Sequence, residues 1–293
     1  MCDSNWIKDF ILDNNSIMGN SMLHSNYRTK REAYYMDTKK KLQLRRQVFA
    51  GNWKMYTTQK EAVDLSVGIA EGLTVKDREI ILFPPFVYVV CVKTACEGTP
   101  IKVGVQNMYF EKEGAFTGEI SPAMVKDVGA EYVLIGHSER RHIFGETDEM
   151  IHKKVVSALA FGLKPMLCVG ELLEEREAGK SESTVEKQII KAFEGLSEDD
   201  ALKVVIAYEP VWAIGTGKVA TPEIAQSMHA FIRKTLQKLY TDKVAEGISV
   251  LYGGSVKPDN IEGLYAMPDI DGVLVGGASL KVQSFLDIIQ VAL

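Results

Sequence analysis

The stretch VVIAYEPVWAIGTGK sets a carboxylate, Glu209, at the end of an apolar run and attaches a proline and a Gly-bearing loop to it. An acid in such a position suits proton abstraction next to a carbonyl, provided that something excludes water from it. The loop is a candidate for that task. Pro210 stiffens its exit, whereas Ala213, Gly215 and Gly217 permit movement. Val211, Trp212 and Ile214 would be costly to leave exposed unless the segment, which continues through Thr216 and Lys218, closes over a site as a lid. The alternative for Glu209 is a buried ion pair, for instance with a lysine across the same site.

Three other clusters offer chemistry. Asn52 and Lys54 in GNWKM are two residues apart, so on a strand both leave one face while Trp53 leaves the other. Lys54 can bring positive charge to a confined site or pair with an acid such as Glu139. His137 follows VLIG, and Ser138 after it can begin a short helix whose N–H groups disfavour the imidazolium. A neutral ring there can donate a hydrogen bond to a carbonyl oxygen. The spacing of His137 and His142, with Glu139 and Glu146 nearby, fits no metal-ligand pattern, so no metal is expected. Lastly, GGS at 253–255 and GG at 276–277 can bring backbone N–H groups close to a phosphate, although paired glycines also serve tight turns.

These residues need a scaffold that gathers strand ends. Eight β-rich runs supply one: VFAGNWK, EIILFPP, IKVGVQN, YVLIGHS, KPMLCVGE, KVVIAYE, ISVLYGG and DGVLVGG. Most precede segments with helical apolar spacing. Ile224, Met228, Phe231 and Ile232 share one face after Thr221, Pro222 and Glu223, an N-cap with a first-turn proline and acid. Thr58 and Glu61 are spaced as a capping box. Eight β units alternating with helices over about 250 residues predict an α/β chain folded as a single closed (β/α)8 barrel. An open doubly wound sheet is the alternative, but GNWKM stands where its glycine fingerprint would be. In a barrel, all the clusters above fall at the C-terminal strand ends, where such folds hold their sites.

The 293 residues are 46% hydrophobic with a net charge of -5. That is ordinary globular composition, and it gives no reason to expect nucleic acid or a membrane as partner. Four scattered cysteines indicate a reducing compartment. Residues 1–46 differ from the rest, with nine Lys/Arg against five Asp/Glu and no sustained period. They read as a disordered extension, as upstream translation ahead of a start at Met36, or as an organelle-targeting peptide, whose usual lack of acids is not met. The catalytic domain is then 47–293. Cytoplasmic location is expected, with import through the extension as the alternative.

Taken together and in order, GNWKM, QN with GAFTGEIS, IGHSERR, CVGE, AYEPVWAIGTGK, YGGSV and GVLVGGASL resemble the triosephosphate isomerase family from about Val48 to the C-terminus. The resemblance implies a TIM barrel that interconverts dihydroxyacetone phosphate and glyceraldehyde 3-phosphate without cofactor, in glycolysis and gluconeogenesis. It makes Glu209 the base, His137 the neutral electrophile and Lys54 the source of positive charge. It has Asn52 orient the substrate, and Glu139 support Lys54 or shuttle protons. The N–H groups of Gly215, Ser255, Gly276 and Gly277 are implied to hold the phosphate, with Tyr252 and Ser255 latching the closed lid. It also implies a homodimer in which the loop NMYFEKEGAFTGEIS, with Thr117 near its tip, enters a second subunit. A 15-residue loop is long for a compact domain. A Schiff-base aldolase and a non-catalytic binding barrel are the rival functions.

Overall fold

The computed structural model describes residues 45–213 and 220–292. The extension (1–44) and the lid residues Ile214, Gly215, Thr216, Gly217 and Lys218 thus lie outside the described residues. The eight expected strands are all present: β1 (Val48–Asn52), β2 (Glu79–Phe83), β3 (Lys102–Val105), β4 (Tyr132–Ile135), β5 (Lys164–Val169), β6 (Val205–Tyr208), β7 (Val250–Tyr252) and β8 (Gly272–Val275). They pair in sequence order into a closed parallel barrel, in which β1 completes the ring by pairing with β8. The open doubly wound sheet is excluded.

Closure explains why the strands read as almost continuous apolar runs. Both of their faces are covered, so neither has to be polar. Alternate residues divide between two cores. Val48, Ala50, Ile81, Phe83, Leu134 and Met166 fill the barrel interior. Phe49, Ile80, Leu82, Val133, Ile135 and Leu167 face outward and pack beneath the helices.

Helix boundaries follow local chemistry. The Thr58 side chain accepts from the Glu61 N–H and the Glu61 carboxylate returns to the Thr58 N–H, closing the capping box of helix Gln59–Gly72. Thr221 caps helix Pro222–Leu239, whose Met228 and Ile232 are buried while Ile224 and Phe231 pack at the core's edge.

The first strand departs from expectation. β1 ends at Asn52, and Lys54 adopts a left-handed backbone with φ of 52°. Strand alternation therefore does not aim Lys54. Instead the Asn52 carboxamide oxygen accepts the Lys54 N–H at 3.0 Å, and Gln106 donates from Nε2 to the carbonyls of Lys54 (2.8 Å) and Phe83 (2.9 Å).

Candidate active site

At the C-terminal ends of the strands lies a cavity of about 670 Å³. Asn52, Lys54, His137, Glu209, Ser255, Gly276 and Gly277 all line it, although they come from five different strand ends. A larger groove, about 1160 Å³, lies between outer helices and contains none of these residues.

Glu209 is 2% exposed. One carboxylate oxygen lies 2.9 Å from His137 Nε2, and the other accepts the Ser138 N–H at 2.9 Å. Its buried partner is thus the histidine, and not the lysine considered from sequence. The close approach depends on glycine: a Cβ on Gly253 would stand 3.0 Å from Glu209 Cγ, and one on Gly170 would stand 1.7 Å from the Glu209 carbonyl oxygen.

His137 caps the short helix Ser138–His142, its Nδ1 accepting the Glu139 N–H at 3.2 Å. An acceptor at Nδ1 leaves the neutral ring's proton on Nε2, directed at Glu209. Burial disfavours the imidazolium, but the Glu209 carboxylate outweighs burial and raises the ring's pKa. Burial acts on Glu209 in the opposite sense, raising its pKa; the ring and the Ser138 N–H overcome that and hold it below its ordinary value. Each member therefore favours the charged form of the other.

Lys54 Nζ is 2.6 Å from a Glu139 oxygen. Lys54 thus makes the ion pair considered from sequence and also lines the cavity. Its side chain passes over Gly276, where a Cβ would meet Lys54 Cε at 3.6 Å, whereas nothing lies within 4 Å of the corresponding position on Gly277. Among the described residues no group of three or more His, Cys, Asp or Glu could hold a metal ion, and no helix is long and apolar enough to cross a membrane.

A model of the family described as triosephosphate isomerase matches residues 47–292. The chain belongs to the triosephosphate isomerase family. Proteins named triosephosphate isomerase from Roseiflexus sp. (strain RS-1) and Carboxydothermus hydrogenoformans are 55% and 53% identical to it. The aligned 248 residues cover 84% of this chain in each case, and 98% and 99% of those proteins. One from Caldanaerobacter subterraneus is 53% identical over 247 residues, 84% of this chain and all of that protein.

The remaining expected residues are distributed unevenly. Tyr252 is fully buried, its hydroxyl facing the Ala220 backbone and its pKa pushed up to about 12 by burial. Thr117 is exposed. Of the described lid residues, Pro210, Trp212 and Ala213 are buried and Val211 is half-buried. Trp212 is thus no exposed apolar residue awaiting closure. Its Nε1 donates to Glu171 at 2.8 Å, and the Arg176 guanidinium lies 4.3 Å above its ring.

Two residues of this family site carried no role in the sequence reading. Gln106 holds the Lys54 backbone, and Glu171, fully buried, receives both Trp212 and, at 3.0 Å, the Tyr208 hydroxyl. Their signal was position, since Gln106 directly follows β3 in VGVQN and Glu171 stands two residues beyond the end of β5 in CVGE.

Proposed function

We propose that the barrel interconverts glyceraldehyde 3-phosphate and dihydroxyacetone phosphate, with Glu209 moving a proton between the two carbons. The observation that carries this reading is the His137–Glu209 pair, buried in the same cavity as the glycine ends of β7 and β8. A triose phosphate fits both ends at once, the phosphate on the N–H groups of Ser255, Gly276, Gly277 and Gly215, the carbon chain toward the pair.

The chemistry follows from the donors. Glu209 cannot reach substrate carbon while Ser138 and His137 hold both of its oxygens, so productive binding moves the carboxylate off these partners. His137 then loses the charge that raised its pKa, and its Nε2–H turns to the substrate carbonyl as a neutral donor. Lys54 stabilises the enediolate charge. Glu139 anchors Lys54 and relays protons, and Asn52 orients the oxygens. Removing bulk water under the lid strengthens each of these interactions and protects the intermediate. Tyr252 and Ser255 latch the lid. No organic cofactor or metal takes part.

We further propose a homodimer. Met55, Tyr56, Val87, Ile143 and Phe144 are large apolar residues at least 60% exposed. Met55 and Phe144 also line a second cavity, about 380 Å³, which shares Asn52, Lys54 and His137 with the first. The loop 107–121 of a second copy, with Thr117 at its tip, is the occupant proposed for it. Arg45 and Arg46, expected in the extension, pair with Asp271, Glu246 and Glu79 of the barrel, so the domain begins before residue 47; the location is cytoplasmic, in keeping with the free thiols of Cys91, Cys96 and Cys168.

A coupled isomerase assay tests the reaction. Turnover is expected in the unaltered chain, with losses in Glu209→Asp and His137→Gln. Unchanged rates in both variants would sink the mechanism. Sedimentation at micromolar concentration should give a dimer, and a monomer would overturn that assignment.

A further inference from the structure

Helix Ser181–Ala192 packs on β5 with an apolar stripe of Val185, Ile189 and Ala192, and one polar residue, Gln188, is buried within that stripe. A carboxamide set there must find both a donor and an acceptor, or its burial is costly. A single residue of the barrel supplies the two. Gln188 Oε1 accepts the Gly170 N–H at 2.8 Å, and Gln188 Nε2 donates to the Gly170 carbonyl at 3.0 Å. A neighbouring strand would bond a residue's N–H and C=O in the same manner. Here β5 has ended at Val169 and its pairing with β4 at Leu167. The side chain thus continues the ladder past the last paired strand residue.

The residues on either side of Gly170 carry the base and the lid exit. The Glu209 N–H donates to the Val169 carbonyl at 2.7 Å, and the Val211 N–H donates to the Glu171 carbonyl at 3.2 Å. The Glu171 carboxylate in turn holds Trp212. We infer that Gln188 is a positioning residue: by clamping the Gly170 peptide it fixes the short rail, Val169 to Glu171, from which the backbone of Glu209 and the exit of the lid are hung. It touches neither substrate nor reacting atoms. Gly170 has to be glycine, because a Cβ would meet the Glu209 carbonyl. Glycine, however, sets few conformational limits of its own. Without the clamp its peptide can rotate, and Glu209 and the lid exit shift with it. A displacement of about 1 Å at a catalytic group can cost about a hundredfold in rate. This assignment rests on the reading of Glu209 as base for its effect on turnover, and on the hydrogen bonds alone for its effect on the rail.

The experiment compares Gln188→Met, which keeps the length of the side chain but removes both bonds, with Val185→Ala, a loss of buried contact on the same helix. Kinetics with glyceraldehyde 3-phosphate and amide hydrogen exchange are read at a temperature where both variants are folded. In Gln188→Met, kcat is expected to fall about tenfold or more. Competitive inhibition by inorganic phosphate should be unchanged, because the glycine ends of β7 and β8 receive that anion. Exchange at the amides of Gly170, Glu209 and Val211 should quicken while the amides within β6 keep their protection. Val185→Ala should lower the unfolding midpoint and leave kcat and those three amides unaltered. If Gln188→Met does not fold, Gln188→Asn, one methylene shorter and still polar, is read in the same way. The assignment is overturned if the Gln188 variant matches Val185→Ala, if kcat falls while Glu209 and Val211 exchange as before, or if exchange quickens with kcat intact. It is also overturned if phosphate inhibition weakens as much as kcat falls. Should the unaltered chain show no isomerase turnover, the functional reading fails by itself; exchange then decides the clamp, faster Glu209 and Val211 amides supporting it and unchanged ones refuting it.

Discussion

The two ends of the barrel handle buried charge differently. At the N-terminal floor, Arg45 donates from Nε to Asp271 at 2.7 Å and reaches Glu246 at 2.8 Å. Arg233 pairs with Asp269 at 2.9 Å and with Asp271 at 3.0 Å, and its remaining N–H groups go to the carbonyls of Ala245 and Ile248. The Val250 N–H also donates to Asp271. Every partner of Asp271 is protein, and its position is over-determined. At the C-terminal mouth, Glu209 is nearly as buried, but its ring partner borders an open cavity. The same pairing of a buried acid with donors gives rigidity where all donors are fixed, and reactivity where a substrate can displace one.

Substitutions at the two ends should therefore separate activity from stability. The largest effect is expected for Glu209→Gln, which removes the base and should lower kcat about a thousandfold. Its unfolding midpoint should fall less than that of Asp271→Ala, because Gln keeps an oxygen for the Ser138 N–H and gives up only the carboxylate's pairing with His137. A folded variant with normal turnover would break the contrast. Asp271→Ala should do the reverse, costing about 3–5 kcal/mol in urea unfolding, because Arg45 and Arg233 lose their shared partner. The folded fraction should retain its kcat, and a large loss of kcat there would show that the floor takes part in catalysis.

His137→Gln is expected to lower kcat about a hundredfold and to move the titration of Glu209 upward, which carbon NMR of the labelled carboxyl can follow. The sign follows from the pair. Glu209 has its pKa depressed below 4.5 in the folded state, so its contribution to stability is present above that pH and is lost as pH falls through the depressed value. Without the ring the folded value rises, so this contribution should shrink. An unmoved titration would mean that Ser138, and not His137, sets the carboxylate. The smallest effect belongs to Trp212→Phe, which removes one of the donors to Glu171 and should cost about 1 kcal/mol. Glu171→Gln should relieve part of that loss, since burial already raises the Glu171 pKa. A neutral result would show that the tryptophan is held by packing alone.

Much of this was legible in the residues. Eight apolar runs bounded by polar or glycine ends announced eight strands, because a strand covered on both faces has no polar face to show. Thr58 with Glu61 and Thr221 with Pro222 marked helix starts, because capping is satisfied within three or four residues. Other features were not legible. The left-handed backbone of Lys54 depends on Gln106, 52 positions away. Trp212 looked exposed because its partners come from elsewhere, Glu171 from just beyond β5 and Arg176 from the short helix Leu173–Glu177. Glu209 could have paired with a lysine as far as composition went, and only the packing of β4 beside β5 and β6 set His137 against it.

By itself, then, the order of residues determined the alternation of strands and helices, the helix caps, and the strand ends on which reactive groups would stand. All of these rest on periodicity and contacts a few residues long. The tertiary structure alone decided which acid meets which donor, which lysine is matched, and which lid residues are held down. Those outcomes depend on distances between segments tens of residues apart, and the closing of the barrel sets them together.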